Sequence, residues 1–198
     1  MRDTAIVFAR APRLGVGKRR LARDVGDRAA LRFHIATLTR LLLGLAADRR
    51  FRTVVALTPD RARLRLPGGA GRHAARIDQG HGDLAQRMAR ALRRFPRGRA
   101  AIIGCDIPGA GADDLHAAFR ALGRAQAAFG PAEDGGYWLV ALGPRRPAHP
   151  FARVRWSGPH ALADTRRNFR GRTVALLRRL RDVDSAADLE ATRVRTRG

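Results

Sequence analysis

The feature that most constrains this chain is an alternation. Short apolar runs rich in Val, Ile and Phe take turns with longer stretches in which apolar residues recur three and four apart, the signature of a sheet covered by helices. The runs are TAIVFA (4–9), RTVVALT (52–58), ARID (75–78), AAIIGC (100–105), AQAAFG (125–130), YWLVAL (137–142) and TVALL (173–177). Residues 27–47, 83–95, 111–123 and 158–169 carry the helical period. In GADDLHAAFRAL, Asp113 and Asp114 fall in the first turn, where they complement the positive end of the helix dipole. The predicted order is β-α-β-α-β-α-β-α-β-β, then a C-terminal α-β-α piece. A chain of 198 residues holds one substantial core, so a single α/β domain over 1–198 is expected. The piece 151–198 belongs to it, reached through the Pro-rich GPRRPAHP (143–150).

Charge narrows the partners. Forty Lys and Arg against 17 Asp and Glu give a net charge of +23, which by itself would point to phosphates. The arginines, however, run from Arg2 to Arg197 without a dense tail and recur on polar helix faces, as in RRLARDVGDR and RMARALRRF. That is a solvated surface, and the Arg, Ala and Gly bias suits a GC-rich genome, so no specific nucleic-acid partner is expected. Cys105 is the lone cysteine, which excludes an intrachain disulfide and fits a reducing compartment. AIVFA is too short for a secretory core, and LTRLLLGLAA, broken by Arg40, is the nearest approach to the ~20 apolar residues of a membrane span. The expectation is a cytoplasmic protein without a membrane span, a monomer or small homo-oligomer.

In an open sheet of this kind ligands gather at the carboxyl ends of the strands. Three loops there carry chemistry. RAPRLGVGKRR places Gly15 and Gly17 ahead of Lys18, the only lysine, and of Arg19 and Arg20 at a helix start. It has the outline of a phosphate cradle, but neither the Walker A nor the G-x-G-x-x-G spacing, and an exposed basic loop reads the same way. CDIPGAG sets Asp106 directly after a buried strand, with Pro108 ending the ladder; Asp106 suits a hard divalent cation or a backbone turn. PAEDGGY offers Glu133 and Asp134 with Gly135 and Gly136, at once a good hairpin turn and a second carboxylate beside open backbone. QGHGDLAQRM adds a Gly82-Asp83 helix entry with Arg87 one turn in. The six histidines show no metal-ligand spacing, and no Ser-His-Asp grouping stands out, which disfavours zinc and acyl-enzyme chemistry.

These motifs in order, FARAPRLGVGKRRL, QGHGDLAQRM, GCDIP, GPAEDGGY, and WSGPHALADT with a late DVDSAADL, resemble a bacterial family of small glycosyltransferase-A-like proteins labelled nucleotide-diphospho-sugar transferase. Wider relatives of that family include the molybdenum-cofactor and phospholactate guanylyltransferases. Lys18, Arg20 and Leu21 keep their family places; Arg10 replaces a lysine and Arg19 a threonine. The resemblance implies a Rossmann-like three-layer fold with a mostly parallel mixed sheet and a nucleotide at its switch point. It implies a catalytic set of Lys18 and Arg20 on phosphates and Asp106 on Mg²⁺ or Mn²⁺, with Asp134 a second metal ligand. Around the nucleotide it implies Ala9, Ala11, Pro12, Gly15 and Lys18 from the first loop, Gly82, Asp83 and Arg87 from the helix entry, and Gly135 and Gly136. The expected activity is Mg²⁺-dependent nucleotidyl transfer from an NTP to a small phosphorylated or carboxylated acceptor, releasing pyrophosphate. The alternatives are a glycosyltransferase using a nucleotide-sugar and a non-catalytic basic binding protein.

Overall fold

Strand β1 (Asp3–Arg10) is buried without a break from Thr4 to Val7, a run that only a strand covered on both faces carries. β2 (Phe51–Thr58) and β4 (Ala100–Gly104) flank it in parallel, Ile6 lying opposite Val54 on one side and Ile102 on the other. β3 (Ala75–Asp78) continues the parallel half beyond β2. On the far side β6 (Tyr137–Leu142) runs antiparallel between β4 and β5 (Ala127–Pro131), and β7 (Val174–Leu176) lies parallel to β5 at the edge. The order is β3-β2-β1-β4-β6-β5-β7, a mixed sheet in which β6 alone opposes the others. This computed structural model describes residues 2–195; Arg197 lies outside them.

Helices form the outer layers. Leu38, Leu41, Leu42 and Leu45 of α2 (Asp27–Ala46) and Leu115, Ala118 and Phe119 of α4 (Ala112–Ala121) pack with Val7, Val55 and Ile103 on one face. On the other, Met88, Ala91 and Leu92 of α3 (Leu84–Arg93) and Leu162 of α5 (Ala161–Arg167) meet Ile6, Ile102 and Phe129. Each fully buried Leu, Ile or Phe contributes about 1.5–3 kcal/mol, so the two faces hold the layers together. The chain closes with α6 (Ala186–Arg195), whose Leu189 packs near Val183 and Leu21.

Three expectations need correction. No helix connects β2 to β3: that crossover holds a single 3₁₀ turn at Pro67–Gly69, where Gly68 at φ 61 leaves the helical region and stops propagation. A short α1 (Arg19–Val25) precedes α2, separated from it by Gly26 at φ 82. α2 itself reaches 20 residues at a mean hydropathy of 1.3, long and apolar enough by length and composition to cross a membrane. Its leucine face, Leu38, Leu41, Leu42 and Leu45, packs on the sheet.

From β1 the chain steps outward to β2 and β3, then returns to the opposite side of β1 as β4. The reversal opens a crevice at the carboxyl ends of β1 and β4, and the loops 11–18 and 105–111 lead into it.

Candidate active site

Lys18 stands at the end of the first loop, as the residue capping α1, in left-handed backbone at φ 44, ψ 40. Its side chain is 6% exposed, and three acceptors surround the ammonium: Val183 O at 2.7 Å, Asp106 Oδ2 at 3.0 Å and Asp184 Oδ1 at 3.1 Å. An ammonium has three N–H bonds, so the set is complete. A planar guanidinium could not turn its donors into three diverging directions at that depth, which is a physical reason for the single lysine. Burial by itself lowers the lysine pKa, but Asp106 and Asp184 outweigh it and hold the charge above its ordinary 10.5.

Asp106 follows β4 and the buried Cys105, whose thiol is pushed up to about 12 by burial and then by Asp106 itself. Such a thiol stays protonated and is no nucleophile. Among the described residues no turn N–H donates to Asp106: its partner is Lys18, and its second oxygen is left without a protein donor. Asp134 lies in the β5–β6 turn, where Oδ1 accepts from the Gly136 N–H at 2.8 Å. The hairpin and the site therefore use the same residue. Asp182, half-buried, comes from the C-terminal segment; burial first, then the negative Asp134 and Asp184, hold its carboxyl above the ordinary carboxylate range.

Asp106, Asp134 and Asp182 share one cleft of about 230 Å³. Its remaining wall is apolar and aromatic, with Phe8, Met88, Ile102, Tyr137 and Trp156, and Ser157 at the rim. Ser157 is in left-handed backbone at φ 61, a conformation that costs a non-glycine residue about 1 kcal/mol and is common at functional sites. Among the described residues no group of three or more His, Cys, Asp or Glu is arranged to hold a metal by itself. The donor set does fit Mg²⁺, which binds through one or two carboxylates and completes its shell with phosphate oxygens and water. Asp106, with one oxygen free, and Asp134 are the carboxylates that could hold it.

Other residues singled out from the sequence fall elsewhere. Arg20, 73% exposed, reaches Asp184 at 3.4 Å beside the cleft. Gly15, with Lys18, edges a separate small recess against Asp27 and His34. Ala9 is buried in β1, and its carbonyl accepts from the buried Gln79; Ala11 bonds back to Thr58, and Pro12 is half-buried beside it. Asp83 caps α3 in a capping box with Gln86, and Gly82 before it stands at φ 101, backbone that favours glycine. Arg87 bonds to Gln79 Oε1 at 3.1 Å. Gly135, at φ 86, packs on Pro159, where a Cβ would lie 2.3 Å from the carbonyl oxygen, while Gly136 lines the cleft. Asp182, Asp184, Trp156 and Ser157 enter the site without having been assigned to it. Their only sequence signal was the pair of motifs WS and DVD, more than 20 residues apart.

The structural relatives are of one kind. A protein from Desulfovibrio desulfuricans, assigned but not established as a nucleotide-diphospho-sugar transferase, is 27% identical over 96% of this chain and 86% of its own, with a TM-score of 0.81. The 4-diphosphocytidyl-2C-methyl-D-erythritol synthase of Anaerococcus prevotii is 9% identical over 100% of this chain and 99% of its own, at a TM-score of 0.61. CMP:2-keto-3-deoxy-manno-octonic acid synthetase, solved with CTP, is 13% identical over 100% and 99%, at 0.58. No curated protein matches the chain. The fold is that of the nucleotide-diphospho-sugar transferases. A bacterial family profile covers residues 41–158, more than half of the chain and including Asp106, Asp134 and Trp156 though not Lys18 or Asp184. With that match the chain belongs to DUF2064, a family described as uncharacterized proteins conserved in bacteria.

Proposed function

We propose that this protein is a Mg²⁺-dependent transferase acting on a nucleotide, with nucleotidyl transfer from an NTP and release of pyrophosphate as the leading reading. The observation that carries it is the meeting of Asp106, Asp134 and Asp182, from three separate segments, in one cleft at the switch point of the sheet. Three carboxylates converging there are costly unless a cation shares them. Asp106 and Asp134 would hold a Mg²⁺ ion, which supplies charge neutralisation at the phosphates when bound. Lys18 positions Asp106 by occupying one of its oxygens and ties the loop to the Val183–Asp184 segment. Arg20, held by Asp184 and otherwise exposed, is placed to meet a phosphate oxygen. The sheet's likeness to a cytidylyl synthase and to a CMP-sugar synthetase supports nucleotidyl transfer.

The likeness to the D. desulfuricans protein favours a second reading, glycosyl transfer from a nucleotide-sugar. Incubation with a panel of NTPs and nucleotide-sugars, with and without Mg²⁺, separates the readings. Pyrophosphate from NTPs supports the first and free NDP from nucleotide-sugars the second. Neither product, together with DNA binding of steep salt dependence, would leave a basic binding protein.

A further inference from the structure

The sequence led to the expectation of a phosphorylated or carboxylated acceptor. The cleft has the wrong chemistry for one. Among the described residues no Lys, Arg or His lines it. The nearest cation, Lys18, has all three of its N–H bonds committed to protein acceptors. The arginines next in sequence to lining residues are paired as well: Arg155, before Trp156, holds Asp164, and Arg181, before Asp182, holds Glu133. The charged groups that do line the cleft are three carboxylates, which Lys18 and one divalent cation would only just balance, leaving no positive charge over for an anion. An anionic acceptor laid on this wall would lose its hydration there and meet no cation among the lining residues, Arg20 lying beside the cleft on Asp184.

What the cleft offers instead is a fixed apolar and aromatic wall. Trp156 is held between Tyr137, ring centroids 6.2 Å apart, and Phe151, at 6.5 Å. The Tyr137 hydroxyl is turned to Thr165 Oγ1 at 3.4 Å, so its ring rather than its hydroxyl is available to the cleft. Phe8, Met88 and Ile102 complete the surface, and the Ser157 hydroxyl is the neutral polar group at its edge. Aromatic faces with a few neutral hydrogen-bonding groups recognise flat or ring-shaped molecules that are apolar on one side. We infer that the second substrate of this site is an uncharged, hydroxyl-bearing molecule that lays an apolar face, such as that of a sugar ring or an aryl group, against Trp156. The inference rests on the transferase reading for the word substrate, but its chemistry rests on the cleft wall alone.

Matched probes test it. Phenyl β-D-glucoside and phenyl β-D-glucuronide differ by one carboxylate, and their binding can be followed by calorimetry on the whole protein, with Mg²⁺ and each NTP titrated separately. The glucoside should bind at least about tenfold more tightly than the glucuronide, and Trp156→Ala should weaken it by about tenfold. Ser157→Arg, which adds the missing cation at an exposed rim position, should raise glucuronide affinity by about tenfold and leave the glucoside no tighter. Equal or tighter binding of the glucuronide to the parent protein overturns the inference, as does no glucoside binding at millimolar concentration. Displacement of the glucoside by Mg²⁺-NTP would make the wall a nucleobase site and overturn it too. If no NTP or nucleotide-sugar binds while the glucoside preference holds, the transferase reading fails and the cleft's selectivity stands.

Discussion

The rest of the molecule and the cleft treat acidic groups in opposite ways. Away from the cleft, carboxylates, among them the buried Asp114 and Asp164, are matched to more exposed arginines at short range: Asp3 with Arg99 at 2.6 Å, Asp114 with Arg178 at 2.6 Å, Glu133 with Arg181 at 2.6 Å, and Asp164 with both Arg155 and Arg167. In the cleft, Asp106, Asp134 and Asp182 meet no arginine among the described residues, and the one cation in contact, Lys18, is spent on positioning. A net charge of +23 therefore says little about the site. Where each charge is placed decides what binds, because carboxylates already matched to arginines have less negative charge left to offer a further cation.

The sharpest way to break this contrast is Asp106→Asn, which keeps shape and removes the charge. Mg²⁺-dependent nucleotide affinity should fall at least about 100-fold, or about 2.7 kcal/mol, while the fold survives because Lys18 keeps Val183 and Asp184 as partners. Unchanged Mg²⁺-nucleotide affinity in a titration would remove Asp106 from the metal. Asp134→Asn should act in the same direction.

Next comes Lys18→Arg. A guanidinium at this depth cannot serve three diverging acceptors, so Asp106 shifts and nucleotide affinity or turnover should fall at least about tenfold, equal to ~1.4 kcal/mol. Arg19→Lys, at an exposed neighbouring position, is the control and should cost far less. Equal behaviour of the two variants in one assay would reduce Lys18 to an ordinary cation of a basic loop.

The pairs away from the cleft can be probed by pH. Asp164 is held well below its ordinary 3.8, first by the Arg155 side-chain hydrogen bonds, with Arg167 adding to them against the cost of burial. A carboxylate with a depressed folded pKa contributes stability above its unfolded value and loses it as pH falls through the folded one. Asp164→Asn should therefore be less stable than the parent at neutral pH, and denaturant titrations should show the gap closing below pH 3.8. A gap that stays constant into stronger acid would show that the pair matters through packing alone.

The smallest effect concerns the surface as a whole. Duplex DNA should bind weakly at physiological salt, without sequence preference and with a steep salt slope. Nanomolar binding of one sequence against excess competitor would mean that the surface arginines form a recognition face after all.

The alternation of short β-type runs and helical stretches was enough to place the strands, because burial on both sheet faces demands continuous apolar segments that few other patterns produce. It was less able to see the ends of helices and the bare crossover from β2 to β3, where Pro67, Gly68 and Gly69 interrupt an otherwise permissive composition. At the site, Asp106 and Asp134 were visible as carboxylates after apolar strands, and Lys18 stood out by being alone. The glycines were harder to assign. Gly82 answers to a backbone φ of 101 and Gly135 to a close contact with Pro159, neither of which any spacing reveals.

By itself the sequence determined the fold class, the switch-point loops and the chemical types at their tips, since strand burial, helix period and turn residues are local properties of the chain. Only the tertiary structure decided that Lys18 meets Asp106 across the switch point and Asp184 from a segment 166 positions away, and that Asp182 joins Asp134. It also decided that, among the described residues, no arginine lines the cleft of so arginine-rich a chain. Those outcomes depend on which side chains share a small volume after the sheet has closed, and distance in space between remote segments is written in no local pattern.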